Sequence, residues 1–186
     1  QMFFFFFLAN PAITPNQFKK GSDSDRIEAA VRQAKKTSGV VVIPAHNANG
    51  SKIWKLDRAI LLPSDITVML ENCTIQLSDS CRDNMFRSDN VGIGITTPVW
   101  NKNIHIIGIG EVFLKGAANP RSSGDAGRKL TLDPDQERKK GNWSVSYGTD
   151  AANPAQKQTG DWRNIMILIA QVENFSLKNV KIRNSH

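Results

Sequence analysis

The chain has 186 residues, 40% of them apolar and 22% charged, a balance that excludes a disordered tail and suits one soluble domain with a sizeable core. A net charge of +7 favours polyanionic partners, whether nucleic acid, an acidic membrane surface or a uronic-acid polysaccharide. Two cysteines, Cys73 and Cys81, set no disulfide framework and show no zinc-ligand spacing.

Met2 to Ala9 is an apolar run rich in phenylalanine, too short for a bilayer span, which needs about 20 residues. It resembles the hydrophobic part of a secretory signal. Residues 1–17 are therefore read as a signal remnant and lead-in, and the protein as secreted or periplasmic. A core or edge segment is the other reading of the same run.

The first element is a helix over 25–38. Asp25 with Glu28 three residues later makes a capping-box-like start, and Ser22, Asp23 and Ser24 add polar caps. Ile27, Ala30, Val31 and Ala34 recur on one face, and Gly39 ends the helix. No partner helix follows, so this apolar stripe needs some other surface to cover.

Short strands come next. Val40 to Ile43 stops at Pro44; Ile53 to Leu56 and Ala59 to Leu62 follow, closed by Pro63-Ser64-Asp65. Ile66 to Leu70 leads through Glu71-Asn72 into Cys73 to Leu77, and Ile104 to Ile106 meets Gly108 and Gly110 before Val112 to Leu114. Ile165 to Ile169, Phe175 to Leu177 and Val180 to Ile182 complete the set. Asn103-Ile104-His105-Ile106 and Asn174-Phe175-Ser176-Leu177 share one grammar, in which Asn or Gly tolerates a left-handed bend between strands.

Strand, bend and strand repeated without alternating helices predict an all-β fold, a right-handed parallel β-helix over residues 18–186 with the helix capping its first coil. A β-sandwich is the rival. Its two-residue hairpin turns are nearly absent, Asn49-Gly50 being the candidate. The pattern lapses over 117–161, read as a long basic loop carrying Arg121, Arg128, Lys129, Arg138, Lys139 and Lys140. In a solenoid such insertions commonly wall a binding groove.

The order of these segments resembles the N-terminal region of the pectin-lyase-like superfamily, particularly glycoside hydrolase family 28, the polygalacturonases. The matching residues are Asp23 to Ala30, Ser38 to Pro44, Leu61 to Val68, Asn103 to Gly110 and Phe175 to Val180. The resemblance implies a carbohydrate-active protein acting on an acidic polysaccharide. The Asn-Thr-Asp, Asp-Asp and Gly-His-Gly motifs that carry acid and base in that family do not occur here, so the catalytic residues are unassigned and the catalytic coils are expected beyond His186. The alternatives are a non-catalytic glycan-binding β-helix of tailspike or adhesin type, and a polysaccharide lyase.

Candidate substrate-binding residues are Trp162, to stack on a sugar face, and Arg163, to pair with a uronate beside Asp161. An Asp–Arg pair that merely anchors the loop is the competing reading. Trp143 and Tyr147 are sugar platforms or loop anchors, and His186 is an acid, base or ligand if it faces the groove. His105 alternates between isoleucines and is expected on the surface. Asp79, Asp83 and Asp89 with Asn84 and Asn90 are oxygen-rich as calcium sites are, yet they read better as a solvated turn. No cofactor, metal or membrane span is expected, and no nucleic-acid partner, the last because the basic residues cluster in a loop and form no nucleic-acid motif.

Overall fold

The computed structural model describes residues 12–79, 81, 84–91, 99–118 and 166–184, and the backbone pairing of 145–149 and 157–162. The run from Met2 to Ala9 lies outside the described residues.

The helix, α1, spans Asp23–Lys35, beginning two residues before its expected start. Ser22 is the N-cap: its Oγ accepts from Asp25 N at 3.3 Å, and Ser22 N donates to Asp25 Oδ2 at 2.8 Å. Asp25 is thus the returning half of the capping box rather than its first residue. Glu28 is left to accept from Arg58 at 2.9 and 3.0 Å. Gly39, at φ +69, donates to Ala34 O at 2.8 Å and ends the helical segment.

The strands are β1 Val40–Ile43, β2 Ile53–Leu56, β3 Ile60–Leu62, β4 Ile66–Glu71, β5 Thr74–Leu77, β6 Phe86–Ser88 and β7 Asn101–Ile109. They continue as β8 Phe113–Lys115, β9 Val145–Thr149, β10 Lys157–Trp162, β11 Ile167–Leu168, β12 Val172–Lys178 and β13 Lys181–Arg183. Sheet I has the order β1-β4-β7-β12, sheet II β13-β8-β5-β2 and sheet III β11-β6-β3. Every pairing within these three sheets is parallel. The chain visits sheets I, II and III in that order and repeats the circuit, so each strand lies beside its counterpart one circuit away. The one interruption among the described residues is β9–β10, an antiparallel pair inside the segment read as loop.

Register explains the core. In sheet I, Val41, Val68, Ile106 and Leu177 stand in one row; in sheet II the row is Trp54, Ile75, Leu114 and Ile182. In sheet III, Ile60, Phe86 and Ile167 align. Most of these residues belong to one hydrophobic cluster that also holds Ile27, Ala30, Val31 and Ala34 of α1. Each fully buried aliphatic side chain contributes about 1.5–3 kcal/mol, so stacked rows carry the stability. Helix α1 touches β1, β2 and β3, one strand from each sheet, and so covers one end of the shared interior.

The bends are set by Asn, Asp and Gly. Asp65, Asn103 and Asn174 occupy successive circuits at φ 59, 52 and 61. Asn103 Nδ2 donates to Asp65 Oδ1 at 2.7 Å, and Asn174 Nδ2 to Asn103 Oδ1 at 2.8 Å. At the next corner Gly110, at φ +70, packs against the Asn72 side chain, whose Oδ1 accepts from Glu111 N at 3.1 Å. Gly110 therefore serves turn geometry, whereas Gly108, inside β7, serves the close approach of the Asn179 carbonyl.

Candidate functional site

Alternate residues of a strand point outward, so each sheet presents an outer face whose chemistry follows from register. On sheet I the outward rows are Val40, Thr67, His105, Ser176 and Val42, Met69, Ile107, Lys178. His105 is half-buried, with Nδ1 2.8 Å from Ser176 Oγ. On sheet III the outward residues are Leu61, Arg87 and Leu168, and Arg87 is buried.

Sheet II differs in charge. Its outward rows are Ile53, Thr74, Phe113, Lys181 and Lys55, Gln76, Lys115, Arg183. With strands about 4.8 Å apart, the second row places cations on three of four neighbouring strands. Lys115 Nζ lies 5.1 Å from the centroid of the Phe113 ring, Lys181 Nζ 5.2 Å and Arg183 Cζ 5.2 Å. Such contacts give about 0.5–1 kcal/mol each at exposed sites, and they hold cationic heads round a ring while leaving their outer sides hydrated.

Glu111 accepts from Lys181 Nζ at 3.0 Å. That hydrogen bond, then the charges of Lys181, Arg183 and Lys52, hold the Glu111 carboxyl below its ordinary value. Both partners are more than half exposed, so the pair adds little stability. The face keeps an excess of positive charge.

At the helix end the charges are more fully paired. Arg58 meets Asp25 at 2.6 Å, Glu28 at 2.9 Å and Asp57 at 3.1 Å. The Arg58 hydrogen bond, assisted by Ser22, holds Asp25 at about 2.

Of the candidate residues, Trp143, Arg163 and His186 lie outside the described residues. The β9–β10 pairing sets Asp161 opposite Ser146, which precedes Tyr147 in the chain, and Trp162 opposite Val145. In the oxygen-rich stretch, Asp83 lies outside the described residues. Asp89 Oδ1 accepts from Asn101 Nδ2 at 2.7 Å, and Asn90 Nδ2 donates to Val99 O, Ala170 O and Gln171 O. Those side chains hold a corner together. Cys73 and Cys81 are buried thiols, not a disulfide. Desolvation pushes Cys73 up to about 12.

Sequence reasoning missed Lys55, Phe113, Lys115, Lys181 and Arg183 as a group. The signal was present. Ile53-Trp54-Lys55, Thr74-Ile75-Gln76, Phe113-Leu114-Lys115 and Lys181-Ile182-Arg183 align with one apolar residue in the middle of each.

No family model matches the chain, and no curated protein matches it. Among solved structures the chain is similar to PfbA, a surface adhesin of Streptococcus pneumoniae, with a TM-score of 0.50 and 14% sequence identity. The match covers 92% of this chain and 33% of that one, so the chain spans about a third of its structural neighbour. At this identity the likeness concerns fold: mostly parallel sheets with little helix.

Proposed function

We propose that the chain forms coils of a right-handed parallel β-helix belonging to a non-catalytic, surface-exposed glycan-binding protein, with the outer face of sheet II contacting an acidic polysaccharide. The cyclic strand order and the helix across one end support the coil architecture, and parallel crossovers are right-handed in nearly all proteins. The observation that carries the function is the ring of Lys115, Lys181 and Arg183 about Phe113, continued by Lys55 along the same face. Cations repeated at strand spacing suit a linear polyanion, and an aromatic ring among them offers an apolar face to a sugar. The adhesin neighbour favours the binding alternative over the sugar-cleaving one. An extracellular site of action fits that reading, and no helix among the described residues is long and apolar enough to cross a membrane.

The test is retention on immobilised polygalacturonate against a neutral galactan, together with an assay for new reducing ends or unsaturated products. Retention on the acidic polymer alone, without new ends, is the expected result. Equal retention on both polymers removes the charge argument, and polymer cleavage removes the non-catalytic reading.

A further inference from the structure

Phe113 and Lys115 lie on β8, and Lys181 and Arg183 stand directly beside them on β13. The four mark out a rectangle of about 4.8 Å by about 6.6 Å, one strand spacing by two residues, with the ring at one corner and a cation at each of the others. The cationic heads draw in closer still, each lying within 5.2 Å of the ring centroid. Like charges held so near repel one another.

The protein answers one of the three. Glu111 accepts from Lys181 Nζ at 3.0 Å, and because an ammonium carries three donors, Lys181 keeps others for a ligand. The side chains of Lys115 and Arg183 meet no carboxylate among the described residues. Arg183 is exposed and Lys115 half-buried, so the patch is reached from solvent and keeps a surplus of positive charge.

A carboxylate offers two oxygens, which one guanidinium and a neighbouring ammonium already engage. Three cationic heads gathered round one ring suit an anionic group with three terminal oxygens. We infer that the Phe113 patch is a subsite for a sulfate ester carried on a sugar, with Lys115, Lys181 and Arg183 each meeting one terminal oxygen. The inference rests on the reading of sheet II as the glycan-contacting face, and it narrows the preferred ligand from carboxylated to sulfated glycans. Lys181 sets that preference, because Lys115 and Arg183 suffice for a carboxylate. Polygalacturonate binds the same row through those two, less tightly than a sulfated polymer of equal charge.

The probes are galactose 6-sulfate and galacturonate, which share a sugar ring and a single negative charge and differ in the group at carbon 6. Each is titrated into the whole chain while the backbone amide signals of Phe113, Lys115, Lys181 and Arg183 are followed by NMR. The sulfate ester is expected to bind about fivefold more tightly, the scale of one further exposed charged contact. Lys181→Gln, at a side chain more than half exposed, removes that advantage and leaves galacturonate binding within about twofold. Equal affinities in the unaltered chain, or an advantage that survives Lys181→Gln, overturn the sulfate subsite, and retention on polygalacturonate then leaves the proposed function standing. No shift from either sugar, together with no retention on polygalacturonate, removes both. Galactose 6-phosphate binding as tightly as the sulfate ester overturns the sulfate preference, and inorganic sulfate binding as tightly overturns the sugar.

Discussion

The side-chain amide of Asn174 donates to that of Asn103 at 2.8 Å, and the two residues, 71 positions apart in the chain, share a left-handed backbone conformation at φ 61 and 52. Asn103 passes the contact on to Asp65 at 2.7 Å. One column of side chains thus ties three circuits at a corner where most residues would be strained. Asn103→Ala removes two amide hydrogen bonds and the residue type that tolerates the bend. A destabilisation of about 2–3 kcal/mol is expected in urea unfolding, and Asn103→Gly, which keeps the bend, loses less. Equal losses in the two variants would show that backbone conformation contributes nothing there.

Gly108 tests the close approach at Asn179. A Cβ on it would overlap the carbonyl oxygen of Asn179, and backbone cannot step aside as a flexible side chain can. Gly108→Ala is expected to prise β12 and β13 away from β7 and β8. Amide exchange reads this directly: protection falls across 172–183 while β1 and β4 keep theirs. Uniform loss over all strands would mean global unfolding instead.

Much of this architecture was legible because a strand with one buried face carries a period-two signal. Val41 and Ile43, or Val68 and Leu70, announce the interior without reference to anything distant. The strand Phe86-Arg87-Ser88 was not legible. All three of its residues are buried, and it exists because β3 and β11 flank it. The helix start was misplaced by one cap because Asp25 fits either end of a capping box; only the Ser22 contact decides. The cationic face was hidden for another reason. Lys115 and Arg183 are far apart in sequence, and circuit lengths differ too much for a fixed repeat to align them. Asn103 follows Asp65 by 38 residues, whereas Asn174 follows Asn103 by 71.

Acid should weaken the helix cap. Asp25 is held at about 2 in the folded chain, chiefly by its hydrogen bond to Arg58, against an ordinary value of 3.8. A lowered folded value means that this contribution is present in full above about pH 4 and is lost as the pH falls toward 2. Glu111 is lowered too, first by Lys181, and adds to the same acid limb. Urea midpoints measured from pH 6 down to pH 2 should therefore fall, and less steeply in Asp25→Asn. An unchanged slope in that variant would separate Asp25 from the acid response.

Cys73 reports on core integrity. With its thiol pushed up to about 12 by burial, the reactive thiolate fraction at pH 8 is on the order of 10⁻⁴, and the side chain is shielded besides. A thiol reagent should leave the folded protein unlabelled at this position over a time in which urea-unfolded chain reacts fully. Comparable rates in the two states would place Cys73 outside the packed interior.

The outer face of sheet II separates charge from shape. Lys115 and Arg183 lie in one row of sheet II while buried Leu114, and Ile182 aligned with it, lie in the next, so replacing both cations with Gln leaves the core rows intact. The double variant should bind polygalacturonate about tenfold or more weakly at low ionic strength. The gap should narrow at 1 M salt, where the screening length contracts to about 3 Å and exposed charges no longer act over strand spacings. Phe113→Leu probes the other component. It keeps every cation but removes the ring that holds three of them in place, so its loss of affinity should be smaller and should persist at high salt. A double variant that binds as tightly as the unaltered chain at low salt moves the polymer off this face, because no arrangement that uses the row can be indifferent to losing two of its cations.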